Sequence, residues 1–165
     1  KAREFDFSTR FIELAAEINS RMPHHVLDLA VRALERDGAS LRGARVLLLG
    51  VAFKPDVDDP RNSPAERLIE LLLERGARVS YHDPHVPRFS VGPSPFHRRR
   101  ETFQSVPLDD EALDLADLVL VVTAHKGVDY THVAARARRL VDTTSATRHI
   151  AGRHITRLGC PTDRD

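Results

Sequence analysis

Residues 45–68 read RVLLLGVAFKPDVDDPRNSPAERL, and three kinds of sequence follow one another without a break. Arg45-Val46-Leu47-Leu48-Leu49 is a continuous apolar run, the pattern of a strand buried on both faces of a parallel sheet. Ser63-Pro64-Ala65-Glu66 opens a helix. Ser63 supplies the N-cap oxygen, Pro64 takes the first helical position, where its missing N–H costs nothing, and Glu66 completes a capping box. Between strand and helix lies a loop that begins with Gly50 and carries Lys54, Asp56, Asp58, Asp59 and Arg61. A strand–loop–helix of this outline ordinarily meets phosphate through successive glycines, which let the backbone come close to the anion. Gly50-Val51-Ala52 fails that pattern, so an anion bound here must be met by side chains.

Outward from this stretch the alternation continues. Ala65, Leu68, Ile69 and Leu72 form the buried stripe of the helix, and Gly76 ends it. Arg78-Val79-Ser80-Tyr81-His82 is the next strand, closed by Asp83-Pro84. Residues 84–107, rich in proline, arginine and serine, read as an irregular excursion. A short helix is expected from Asp109 to Ala116, strands at 118–122 and 140–142, a helix at 130–139 and a last strand at 154–158. Strands alternating with helices indicate an α/β fold, a Rossmann-like doubly wound parallel sheet. The tail after Gly159 reads as disordered.

Upstream, residues 8–37 follow helical spacing. Phe11, Leu14, Ala15 and Ile18 form one apolar set, with Ser8 or Thr9 as cap, and Val26, Leu29, Ala30 and Ala33 form a second. Pro23 separates them, so one kinked helix or two in tandem is expected. This stripe precedes the α/β core and has no obvious sheet of its own to cover. A partner subunit or a further domain is therefore expected against it. The resulting division is a helical segment over 1–42, an α/β domain over 43–158 and a tail over 159–165.

Bulk properties exclude several classes. The chain has 165 residues and a formal net charge of +1, so no global field recruits nucleic acid or an acidic membrane. The basic run His97-Arg98-Arg99-Arg100 has no aromatic platform beside it and reads as a solvated loop. The single cysteine, Cys160, rules out a disulfide framework and suits a reducing, cytoplasmic compartment. No apolar run approaches the roughly 20 residues that span a bilayer. A start at Lys1, without methionine, suggests a piece of something longer.

In a doubly wound sheet ligands sit beyond the carboxyl ends of the strands. That edge would gather residues 50–63, Asp83-Pro84 and residues 123–129. Lys54 can offer an ammonium to a phosphate, Phe53 a flat face to a base or ribose, and Arg61 a fork to a second phosphate or a carboxylate. Equally, Lys54 and Arg61 can do no more than neutralise the neighbouring aspartates. Asp-x-Asp-Asp lacks the glycine turn and distal glutamate of a calcium loop. His82 and His85 lack a third ligand in sequence, so no metal is expected. Asp83 suits either a ribose contact or a turn cap; His125 either lines the cleft or belongs to an ordinary loop; His24-His25 form a surface or interface pair.

The stretch Gly50-Val51-Ala52-Phe53-Lys54-Pro55-Asp56-Val57-Asp58-Asp59-Pro60-Arg61-Asn62-Ser63-Pro64 resembles the signature opening the C-terminal domain of the UDP-glucose/GDP-mannose dehydrogenase family. Lys1-Ala2-Arg3-Glu4-Phe5, Thr9 to Ala15, Tyr81-His82-Asp83-Pro84 and Val121-Val122-Thr123-Ala124-His125 extend the likeness over nearly the whole chain. The wording is most similar to UDP-N-acetylglucosamine 6-dehydrogenase-like members. The resemblance implies a homodimeric, NAD-dependent oxidation of the C6 hydroxyl of a UDP-sugar to a carboxylate, in two steps. It implies that Phe53 and Lys54 touch the nucleotide sugar and that Arg61 reaches towards NAD. It also implies that NAD and the cysteine nucleophile belong to domains outside this chain, which would bind but not catalyse; Cys160 does not match that nucleophile. The chain departs from the family after Leu140-Val141-Asp142: Thr144 stands where an arginine commonly touches substrate, with Arg148 one turn away. A non-catalytic nucleotide-binding module and an assembly domain are the rival readings.

Overall fold

A computed structural model of the chain describes residues 10–93 and 100–160. The Ser8/Thr9 cap, the Lys1-to-Phe5 likeness, His97-Arg98-Arg99 and the tail beyond Cys160 lie outside the described residues.

Five strands form one parallel sheet in the order β2-β1-β5-β6-β7. They are β1 (Arg45–Leu49), β2 (Arg78–His82), β5 (Leu118–Val121), β6 (Leu140–Asp142) and β7 (Ile155–Arg157). β1 lies second from the edge and pairs in register with β2 (Leu48 opposite Tyr81) and β5 (Leu48 opposite Leu120). Because successive strand residues point to opposite faces, the run Val46-Leu47-Leu48-Leu49 feeds two cores. Val46 and Leu48 join helices α1 (Arg10–Glu35) and α2 (Pro64–Glu74) on one face. Leu47 and Leu49 join α3 (Asp110–Leu115) and α4 (Tyr130–Arg136) on the other. The doubly wound expectation holds.

The helix starts obey local chemistry. The Ser63 hydroxyl accepts from the Ala65 N–H at 3.2 Å and Pro64 occupies the first turn. The backbone N–H that a capping box would bind, on Ser63, donates instead to the Pro60 carbonyl at 3.2 Å. Asp109 and Asp129 cap α3 and α4 in the same way.

Two expectations change. Residues 84–107 are not wholly irregular: β3 (Arg88–Val91) and β4 (Glu101–Gln104) pair antiparallel, Phe89 opposite Phe103. Their alternation is confined to four residues each, too short to stand out beside proline and arginine. The N-terminal stripe, moreover, has two fates. α1 is one helix running through Pro23, and its second half buries Val26, Leu27, Leu29, Ala30, Ala33 and Leu34 in the same core as Leu48 and Leu120. That half covers the chain's own sheet. The first half leaves Phe11, Ile12, Leu14 and Ile18 exposed.

Candidate functional site

The carboxyl ends of β1, β2 and β5 bring together the three loops expected there. The first step out of β1 needs glycine: Gly50 has φ +82°, and a Cβ built on it would stand 2.0 Å from the Thr123 carbonyl oxygen. The chain then presents the N–H groups of Val51 and Ala52, the amides that would cradle a phosphate in a glycine-rich turn. Both are already taken. Asp83 Oδ2 accepts from Val51 N at 2.7 Å and from Ala52 N at 3.0 Å. Its Oδ1 accepts from His85 N at 2.9 Å and Val86 N at 3.0 Å. An internal carboxylate from the end of β2 thus fills the anion hole of the β1 loop. Burial works to raise the Asp83 pKa, but the bonds from the His85, Val51 and Ala52 amides outweigh it and hold the carboxyl below its ordinary range. Of the two roles expected for Asp83, the geometry selects the turn anchor, because its oxygens face inward on the protein's own donors.

His125, 1% exposed, closes the same hub. Its Nε2 lies 3.1 Å from Asp83 Oδ2, and its Nδ1 accepts from the Asp56 N–H at 2.9 Å. Asp56 answers with its side chain: Oδ1 accepts from Lys126 N at 2.9 Å, and Oδ2 stands 3.3 Å from Lys126 Nζ. The Thr123 hydroxyl donates to the Ala52 carbonyl at 2.7 Å. These bonds lock the charged loop to the loop after β5. Asp56, His85 and His125 do place potential ligand atoms within 4.8 Å of one another. Both His125 nitrogens are engaged, however, and Asp56 Oδ1 already accepts from the Lys126 N–H. The arrangement is a hydrogen-bonded strut.

Side chains of the loop divide accordingly. Arg61 forks onto Asp59, with Nε to Oδ1 at 2.8 Å and Nη2 to Oδ2 at 2.7 Å, while remaining 83% exposed. The side-chain and backbone bonds from Arg61 lower the Asp59 pKa to about 2. Lys54 makes no ion pair with any described residue; its Nζ lies 5.6 Å from the centre of the Phe53 ring. Phe53, 50% exposed, forms one wall of a cleft of about 790 Å³ between the middle of α1 and the start of α2. Asn19, His24, Asn62 and Arg67 face the same space. The structure therefore sets Lys54 beside Phe53, of which only Phe53 lines the cleft, and sets Arg61 apart on its own aspartate.

Sequence reasoning did not pick out Asn19, Asn62 or Arg67. Their signal is weak, since α1 and α2 meet only in three dimensions. Thr144, at the end of β6 on the same sheet edge, is exposed but tied back onto the strand end. Its N–H and hydroxyl both donate to Asp142 Oδ1, at 2.8 and 2.9 Å, while Thr147 donates twice to Oδ2. Arg148 lies exposed beyond it.

Residues 47–149 match the model of the UDP-glucose/GDP-mannose dehydrogenase family, UDP binding domain. A UDP-glucose 6-dehydrogenase of Haloferax volcanii is 34% identical over 147 residues, covering 86% of this chain and 31% of that protein. A UDP-N-acetyl-D-mannosamine dehydrogenase of Methanococcus maripaludis is 30% identical over 118 residues, covering 72% of this chain and 24% of its own length. Among solved structures, an NDP-N-acetyl-D-galactosaminuronic acid dehydrogenase from Methanosarcina mazei Go1 superposes with a TM-score of 0.67 at 28% identity, over 92% of this chain and 31% of that one. The chain spans about a third or less of the proteins it resembles.

Proposed function

Because the chain belongs to the UDP-glucose/GDP-mannose dehydrogenase family and carries its UDP-binding domain, we propose that it supplies the nucleotide end of a UDP-sugar site. Lys54 binds the pyrophosphate, and Phe53 packs a ribose or base at the mouth of the cleft. The observation that carries this reading is the division of labour in the β1 loop. Asp83 takes the backbone donors, so an anion at the β1 loop is left to side chains, and Lys54 has no ion pair among the described residues. A residue whose charge is not spent on a neighbour gains most from a phosphate, about 1.5–3 kcal/mol for a charge-assisted bond.

The complete activity, in this reading, is the NAD-dependent oxidation of a UDP-sugar C6 hydroxyl to a carboxylate in a cytoplasmic homodimer. The residues after β1 do not fit a dinucleotide pyrophosphate, since there is no glycine cradle and both amides are occupied. NAD is accordingly assigned to another domain, with Arg61 as the residue of this chain that turns towards it by leaving Asp59. No catalytic residue is assigned within the chain, and the division into 1–42, 43–158 and 159–165 stands as a proposal about its organisation. Calorimetric titration with UDP tests the site. Binding to the wild-type chain is expected, with Lys54→Ala weaker by at least about tenfold. Equal affinity removes Lys54 from the site.

The engagement of Thr144 by Asp142 favours a second reading, a nucleotide-binding module with altered or absent sugar chemistry. Thr144→Arg separates the two. Tighter binding of a UDP-sugar relative to UDP indicates a sugar site lacking one cation, and an unchanged ratio favours the non-catalytic module.

A further inference from the structure

We propose that His125 is a positioning residue for the loop that carries Phe53 and Lys54, acting as a neutral strut between the Asp56 amide and the Asp83 carboxylate. The inference rests on the reading of that loop as the nucleotide site, and deepens it.

The partners dictate the state of the ring. A backbone N–H can only donate, so Nδ1, 2.9 Å from Asp56 N, carries no proton. Asp83, held ionised by four amides, can only accept, so Nε2 carries the proton it shares across 3.1 Å. A half-turn of the imidazole would set carbon against both partners and forfeit both bonds. His85 tilts against the ring at 5.0 Å between centroids, and the backbone N–H of His125 is anchored separately on the Tyr130 hydroxyl at 3.0 Å.

What the strut holds is a strained point. Asp56 has φ +60°, a left-handed conformation that a non-glycine residue enters at a cost. It lies two residues beyond Lys54, so its conformation sets where the Phe53-Lys54 pair emerges. Lys126 shares the task through its backbone N–H, 2.9 Å from Asp56 Oδ1, while its ammonium is 92% exposed and adds little. The bond to His125 Nδ1 is the one that fixes the Asp56 amide. Without it, the loop would keep its attachments at Val51, at Ala52 and at the Asp56 carboxylate, and the Asp56 backbone would lose its hold.

Nitrogen-15 NMR of the wild-type chain reads the strut directly, with Nδ1 expected to be unprotonated, Nε2 protonated and the Asp56 amide slow to exchange. Three substitutions then divide the two bonds. His125→Asn keeps an acceptor at the Nδ1 position, His125→Gln keeps a donor near Nε2, and His125→Phe fills the space with neither. UDP affinity is expected within about threefold of wild type for Asn and roughly tenfold weaker for Gln and Phe, with Asp56 exchange accelerated in the same two. A proton on Nδ1, an Asp56 amide that exchanges equally fast in wild type and Phe variant, or equal UDP binding by Asn and Phe overturns the proposal. Should the Phe variant fail to fold, the wild-type ring signature and the Asn–Gln contrast decide it. Wild-type protein that leaves UDP unbound while protecting the Asp56 amide retains the strut and defeats the nucleotide reading instead.

Discussion

Gly50 and Asp83 make the β1 loop what it is, and each can be tested alone. An alanine at Gly50 would occupy φ +82° and push its Cβ into the Thr123 carbonyl, a backbone atom that cannot swing aside. Left-handed strain alone costs about 1–2 kcal/mol, so Gly50→Ala is expected to lower unfolding free energy by at least about 2 kcal/mol in urea titration. Asp83→Asn is nearly isosteric but replaces one accepting oxygen by an NH₂ that faces amide donors. A loss of about 2–4 kcal/mol is expected by the same measurement, and an undiminished midpoint would contradict the anchor role. Lys54 and Phe53 could be proposed from local sequence, because a loop with no glycine run leaves an ammonium and a ring side by side. The turn cap of Asp83 is one of its two readings from sequence, as His85 and Val86 are close in the chain. Its hold on the β1 loop is not, because the Ala52 and Val51 amides lie 31 and 32 residues away. Its sequence context, Asp-Pro after a strand, is shared by any turn.

At the scale of elements, α1 is the informative case. Helical spacing identifies an apolar face but not what covers it. Beyond Pro23 the face is spent on the chain's own core, whereas Phe11, Leu14 and Ile18 stand 82%, 53% and 52% exposed along one stripe. Such a stripe suits a second copy of the helix, consistent with the proposed dimer. Ile18→Asp is expected to shift sedimentation from dimer to monomer with little change in the melting temperature of the α/β core. A monomeric wild type would remove this assignment. α2 shows a different economy. Glu70 is 2% exposed and takes Arg67 Nη1 at 2.8 Å, with Glu74 at 3.5 Å on the same guanidinium. Truncating Arg67 strands a buried carboxylate, so Arg67→Ala is expected to cost about 3–5 kcal/mol. β1, β2 and α2 were legible because a doubly buried strand and a capped amphipathic helix carry their patterns locally. The β3–β4 pair was not, as two four-residue strands gain their identity from one another across a proline-rich excursion.

For the whole molecule, the buried ionisable groups define a window of stability. Asp83 and Asp142 sit at the ends of β2 and β6, and burial tends to raise both pKa values. Amide donors overturn that for Asp83, and the bonds from Thr147 and Thr144 overturn it for Asp142, so both end lowered. Folding therefore makes these carboxyls harder to protonate than in the unfolded chain. Their contribution is complete above the unfolded carboxylate value, about pH 4, and is lost progressively as pH falls below it. Tyr81 and Tyr130 behave in the opposite sense. Burial raises each to about 12, aided by the charge of Asp83 at Tyr81 and opposed at Tyr130 by the bond from the His125 amide. A raised phenol stabilises fully below its unfolded value near pH 10, and that stability erodes as pH climbs towards 12. Unfolding free energy should thus form a plateau from about pH 5 to pH 9, with an acid limb governed by the two aspartates and an alkaline limb by the two tyrosines. Asp142→Asn is expected to lower the plateau and flatten the acid limb, whereas Tyr81→Phe should flatten only the alkaline one. An acid limb of the same steepness in Asp142→Asn and wild type would show that the carboxylate is not held ionised by its threonines. The tie between Thr144 and Asp142, on which the second functional reading depends, would then lose its physical cause.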